Sequence, residues 1–111
     1  MTEIAVKALQ KEMLDNFEKE LLDLMSPENF NSLRKLVFRS TFLCYRLGFL
    51  GPHQDEKSYE KLLGLGKSAL FEIETTPIAE LDEPLQKEVL EYCLFTWLQA
   101  YRLGALSRAE T

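Results

Sequence analysis

Apolar side chains recur every three or four positions in four separate stretches of this chain, and no run of four or more residues alternates as a half-buried strand would. That pattern predicts an all-α fold. The first stretch runs from Thr2, a candidate N-cap, to about Met25. Val6, Met13, Phe17, Leu21 and Leu24 fall on one stripe, with Asp15, Lys19 and Asp23 opposite. "SPEN" opens the second helix, with Ser26 as cap, Pro27 at the first helical position and Glu28 beside the positive end of the dipole. A third helix is expected from Glu56 or Ser58 to Glu74, with Tyr59, Leu62, Leu65, Ala69 and Ile73 inward. Gly64 and Gly66 weaken it by roughly 1 kcal/mol each against alanine, and Gly66 lies on the apolar side, where a neighbouring helix could approach. "TTPIAELDEP" continues through a single turn from Pro77. Asp82 then caps a last helix running to about Leu103, with "SRAET" as a frayed tail.

The second helix, expected from Pro27 to about Leu47, differs from the others. On a wheel of 100° per residue its polar strip holds only Lys35, Arg39 and Arg46 and covers roughly 40°. Leu36, Leu43, Leu47 and Leu50 form one apolar face; Leu33, Val37 and Cys44 form another; Phe38, Phe42, Tyr45 and Phe49 form a third. An outer helix of a small bundle needs only one such face. Leaving large side chains in water forgoes roughly 1.5–3 kcal/mol each and makes an aggregation-prone patch. Either this helix is central, with the other three wrapped around it, or a second protein covers the aromatic face. The second arrangement is the one expected here.

"YRLG" occurs twice, at Tyr45–Gly48 and Tyr101–Gly104, fifty-six residues apart. At the same offset Ser26 falls on Asp82, Thr2 on Ser58, Val6 on Leu62, Leu33 on Val89, Phe38 on Leu94 and Phe42 on Leu98. This suggests a four-helix bundle built from two pseudo-repeated αα-hairpins in one domain, residues 1–111, with half-repeats 2–50 and 58–106 and a linker 51–57. In this reading the tetrapeptide ends a helix. Gly48 and Gly104 would take the left-handed conformation after the last turn, Arg46 and Arg102 would face the negative end of the dipole, and Phe49 and Ala105 would pack back on Cys44 and Ala100.

Composition narrows the function classes. Thirteen basic against eighteen acidic residues give a net charge of −5, which argues against nucleic acid as a partner. The second helix alone is net positive, and its arginines would suit acids such as Glu88 or Glu91, in the same chain or another. The charged N-terminus has no signal-peptide pattern, and Arg39 and Arg46 interrupt the longest apolar run, so no membrane span is expected. A soluble, cytoplasmic protein follows. Its two cysteines, Cys44 and Cys93, then read as reduced core residues.

Candidate chemistry is sparse. "GLGKS", Gly64 to Ser68, resembles the end of a phosphate-binding loop, but the position five residues before Gly66 is Lys61 and no buried strand precedes it. The carboxylate pairs Glu20 with Asp23, Glu80 with Glu83, and Glu88 with Glu91 are spaced three apart, as in all-α nucleotide pyrophosphohydrolases that hold magnesium on facing helices. The dense order of pairs in those enzymes is missing, so solvated faces are the simpler reading. The single histidine, His53, lies in the Gly-Pro loop, so neither Glu-x-x-His di-iron ligation nor histidine-assisted nucleophilic catalysis is expected. Trp97 reads as core or interface.

The function expected from the sequence is a non-catalytic helical protein–protein interaction module, a homo-oligomer with a homodimer as the simplest form given the pseudo-symmetry, or else a small subunit or adaptor of a larger assembly. Its partner-binding residues are Phe38, Phe42, Tyr45 and Phe49, with Arg39 and Arg46 setting register. No catalytic residue, cofactor or metal ligand is assigned. The alternative is a magnesium-dependent pyrophosphohydrolase-like enzyme using the paired carboxylates. A carrier for a small apolar ligand, with Gly66 and Ala69 leaving a gap in the bundle, is a third reading.

Overall fold

The computed structural model describes residues 2–52 and 55–110, with side chains from Ile4 onward. Four helices account for the fold: α1 (Thr2–Leu21), α2 (Pro27–Leu50), α3 (Glu56–Thr75) and α4 (Glu83–Glu110). No strand occurs among the described residues. His53 and the side chain of Thr2, both weighed above, lie outside the described set.

Local chemistry explains most boundaries. The Ser26 hydroxyl accepts from the Asn29 N–H at 3.2 Å, and Pro27 follows at the first helical position, so α2 starts where its sequence predicts. Glu80, from the α3–α4 connection, accepts the Ser26 N–H at 2.7 Å. Asp55 caps α3, taking the Ser58 N–H at 3.2 Å and its hydroxyl at 2.8 Å. Gly51, at φ 74°, stops α2, and the guanidinium of Arg108 donates to the Leu50 carbonyl at 3.1 Å. A cation from a distant helix thus meets the negative end of α2, whose own last turn carries none.

Three boundaries differ from expectation. The first helix stops at Leu21, so Leu24 lies in the following turn and is exposed. The second continues to Leu50. The fourth continues through Glu110, because the tail stays packed against the end of α2 through Ser107 and Arg108.

The two long helices α2 and α4 form the centre and run parallel. Ser26 meets Glu80 at one end, while Tyr45 donates to the Ser107 hydroxyl at 3.1 Å and Leu50 meets Arg108 at the other. Antiparallel to both, α1 packs on each of them: Gln10 donates to the Phe38 carbonyl at 2.8 Å, and Asn16 donates to the Tyr92 hydroxyl at 2.6 Å. α3 packs mainly on α2, also antiparallel, and reaches α4 where the Tyr59 and Tyr101 hydroxyls lie 3.4 Å apart. The main core gathers Met13, Leu21, Leu33, Val37, Ile73 and Cys93, closed at one end by buried Pro77 and Ile78 of the connecting turn. A smaller cluster joins Val6, Tyr45 and Ala100.

Neither Gly48 nor Gly104 ends a helix; this corrects the punctuation reading of YRLG. Both lie inside helices and neither has positive φ. Arg46 and Arg102 are therefore not last-turn cations, and Phe49 and Ala105 are helical residues rather than cap partners. The two tetrapeptides instead pack on each other. A Cβ at Gly48 would overlap the Tyr101 carbonyl oxygen and come within 2.8 Å of its carbon. One at Gly104 would overlap the Tyr45 carbonyl oxygen and come within 2.7 Å of the Phe49 nitrogen. Each glycine Cα thus stands over the other helix's tyrosine carbonyl, an approach that any side chain would prevent. Small residues continue the seam upward: Ser40, Cys44 and Gly48 on α2 against Thr96, Ala100 and Gly104 on α4, each series at intervals of four. Away from this seam the halves pack differently, since α1 engages both central helices and α3 chiefly one.

Candidate docking surface

The seam fixes which side of α2 is left for solvent. At 100° per residue, Val37, Ser40, Cys44 and Gly48 centre on one direction, and Lys35, Phe38, Arg39, Phe42, Arg46 and Phe49 centre roughly 165° away. Those six residues form an exposed ridge between α1 and α3, facing away from α4. Phe38 is 51% exposed, Phe42 41% and Phe49 42%, although each is a large apolar side chain on a well-packed helix. Of the four aromatics expected on this face, Tyr45 behaves differently. It is 9% exposed, its hydroxyl reaches Ser107, and it belongs to the interior. Phe42 stacks on it, with ring centroids 6.0 Å apart and planes 26° apart, so the ridge is seated on a fixed support.

Further polar bonds hold the backbone under the ridge. Gln10 is buried, and its donation to the Phe38 carbonyl ties α1 to the first ridge position. The Ser40 and Thr41 hydroxyls both donate to the Val37 carbonyl, at 3.2 and 2.8 Å. Beside Phe38 the surface sinks into a depression of about 590 Å³ between α1 and α2, lined by Leu14, Asn31, Arg34, Lys35, Phe38 and Arg39. Its floor is apolar and its rim is cationic. Arg34, Lys35, Arg39 and Arg46 are all exposed, and none forms an ion pair among the described residues. Glu88 and Glu91, considered as partners for the arginines, lie on α4 and pair with neither within the chain.

One apolar surface was not anticipated in full. Leu94, Phe95 and Leu98 are exposed on the side of α4 that faces away from α2. Sequence periodicity placed none of these three on the surface, although the fifty-six-residue offset sets Phe38 on Leu94 and Phe42 on Leu98.

The remaining candidates disperse. "GLGKS" is helical throughout and forms no loop around a phosphate, and Gly64 faces open space. Gly66 stands against Leu43, whose Cδ2 lies 3.6 Å from where a Cβ would be, and beside it a depression of about 250 Å³ opens between α2 and α3, lined by Leu43, Leu65 and Ala69. The paired carboxylates are exposed. Glu80 is held below its ordinary pKa, chiefly by the Ser26 N–H and then by the Asn29 side chain. Among the described residues no three His, Cys, Asp or Glu side chains converge where a metal ion could be held. Cys44 and Cys93 are free, and burial pushes each thiol up to about 12. The buried indole N–H of Trp97 finds no hydrogen-bond partner among the described residues. No described helix is long and apolar enough to cross a membrane. Comparison with protein-family models, with curated proteins and with solved structures finds no match.

Proposed function

We propose that this chain is a non-catalytic helical interaction module, a homodimer subunit or a small adaptor, that docks another protein on the exposed ridge of α2. One observation carries the reading: Phe38, Phe42 and Phe49 remain about half exposed along one face of the helix that is otherwise best buried by its own chain. Completing their burial would contribute roughly 2–4 kcal/mol in total, taking half of the full transfer value for each ring. That supplies the apolar centre of an interface, and the flanking depression and cationic rim supply the area around it. Tyr45 supports the ridge from beneath and makes little contact of its own.

The test is Phe42→Asp. The position is exposed, so circular dichroism should show unchanged helix content, while association through the ridge is lost. Self-association is read by light scattering and binding of a helical partner by titration. If Phe42→Asp alters neither, the ridge is not a docking face.

A further inference from the structure

We propose that the α2 ridge receives an acidic amphipathic helix from a different chain, and not a second copy of this one. The inference rests on the reading of the ridge as a docking face and names its occupant. Arg34, Lys35, Arg39 and Arg46 surround the three exposed phenylalanines, against a single acid on the same helix, Glu28. Glu72 of α3 borders the groove beside Arg39 but does not pair with it. A chain with a net charge of −5 has thus set four cations, none of them ion-paired among the described residues, around three half-exposed phenylalanines on one helix face.

Self-pairing fits this surface poorly. In a twofold dimer each copy presents the same patch, so the cations Lys35, Arg39 and Arg46 of one copy would be brought against the same set on the other while the apolar centre was being desolvated. The other exposed apolar face, Leu94, Phe95 and Leu98 on α4, is no better matched. Its acids Glu88 and Glu91 are offset by Lys87 and Arg102, all four exposed on the same helix. It also points the opposite way from the α2 ridge, so ridge-to-α4 contacts would propagate without closing.

The ridge dictates what an occupant must carry. Phe38 and Phe42 are separated by about 6 Å along the axis, and Phe42 and Phe49 by about 10 Å, at the α-helical rise. A partner helix of at least three turns, with apolar residues at i, i+4, i+7 and i+11, covers that span. Its largest apolar side chain would enter the depression lined by Leu14 and Phe38, and Asp or Glu on either flank would meet Lys35, Arg39 and Arg46.

The probe is a synthetic amphipathic helix of roughly 18 residues, about five turns, with leucine and phenylalanine at those positions and glutamate on both flanks, compared with the same peptide carrying lysine instead. At about 50 mM salt the glutamate peptide is expected to bind the full chain roughly tenfold tighter than the lysine peptide, the preference that two or three half-exposed ion pairs supply, and the margin should shrink at about 1 M salt. Arg39→Glu combined with Arg46→Glu should reverse the preference, and Phe42→Asp should abolish binding of both peptides. The two arginines are exposed, so both proteins should keep their helix content; Arg39→Gln with Arg46→Gln, which should erase the preference without reversing it, covers a charge-reversed protein that fails to fold. Equal binding of the two peptides would overturn the acidic occupant while leaving the docking face intact. So would a dimer in light scattering that Phe42→Asp dissociates. A monomer that binds neither peptide would overturn both readings.

Discussion

Gly48→Ala is the substitution that tests the centre of the molecule most directly. The added methyl group would overlap the Tyr101 carbonyl oxygen, with the carbonyl carbon at 2.8 Å and the Ala105 nitrogen at 3.1 Å. These are backbone atoms, so no rotamer change relieves the contact; α2 and α4 must separate by ~1 Å. A gap of that size forfeits about a quarter to a half of each dispersion contact it opens, and it opens them along the whole small-residue seam. Overpacking of well-filled cores costs roughly 1–3 kcal/mol, and more where the obstacle cannot move, while alanine returns about 1 kcal/mol of helix propensity. A net loss of about 2 kcal/mol is expected, which for a domain of this size lowers Tm by on the order of 8 °C. Gly104→Ala should behave alike, since its Cβ would meet the Tyr45 carbonyl and lie 2.7 Å from the Phe49 nitrogen. Gly64→Ala is the internal control: nothing lies within 4 Å, so the same chemical change should raise stability by up to about 1 kcal/mol. Urea unfolding followed by Trp97 fluorescence and by circular dichroism measures all three. If Gly48→Ala is neutral or stabilising, as Gly64→Ala is expected to be, α2 and α4 do not cross this closely.

Other consequences are simpler to measure. The Cys44 and Cys93 thiols should resist a disulfide reagent at about pH 8 in the folded protein and react fully in urea; rapid reaction of either in the native state would contradict its burial. Because both titrate near 12 when folded and near 9 when unfolded, the unfolded chain loses protons first. Their contribution is therefore whole below pH 9 and falls as pH rises from 9 toward 12, at about 1.4 kcal/mol per pH unit for each thiol. Glu80 has the opposite sign. Its folded pKa is depressed, so its contribution is present above the ordinary carboxylate range and is lost on acidification, and Glu80→Gln should make the acid limb of the urea-midpoint curve shallower.

The helices themselves were legible in the chain because each carries local signals that agree with its periodicity. Ser26-Pro27 starts α2 as read, and the "TTPIAELDEP" turn falls where Pro77 interrupts the pattern. The crossing was not legible in the same way, because a glycine after a cationic last turn and a glycine under a neighbouring helix look identical over five residues. The distinguishing signal is longer: Ser40-Cys44-Gly48 and Thr96-Ala100-Gly104 repeat small residues every fourth position, a spacing that points at a partner helix and not at a helix end. On the α2 ridge, periodicity assigned Phe38, Phe42 and Phe49 to one face and the structure leaves all three open to solvent. It could not foresee Tyr45, whose length lets the ring turn inward to reach a hydroxyl sixty-two residues away. Nor could it place the unpaired cations, since pairing depends on which helix lies across the groove.

The reciprocal placement of Gly48 and Gly104 also governs how this protein can change over generations. Each answers to a main-chain oxygen, which all twenty amino acids carry alike, so no replacement elsewhere in the opposing helix can make room for a bulkier residue. A descendant that loses either glycine must re-angle its two longest helices, and with them the attitude of the phenylalanines on the outer side of α2. The pair is therefore a better fingerprint for finding kindred chains than any of the side chains around it.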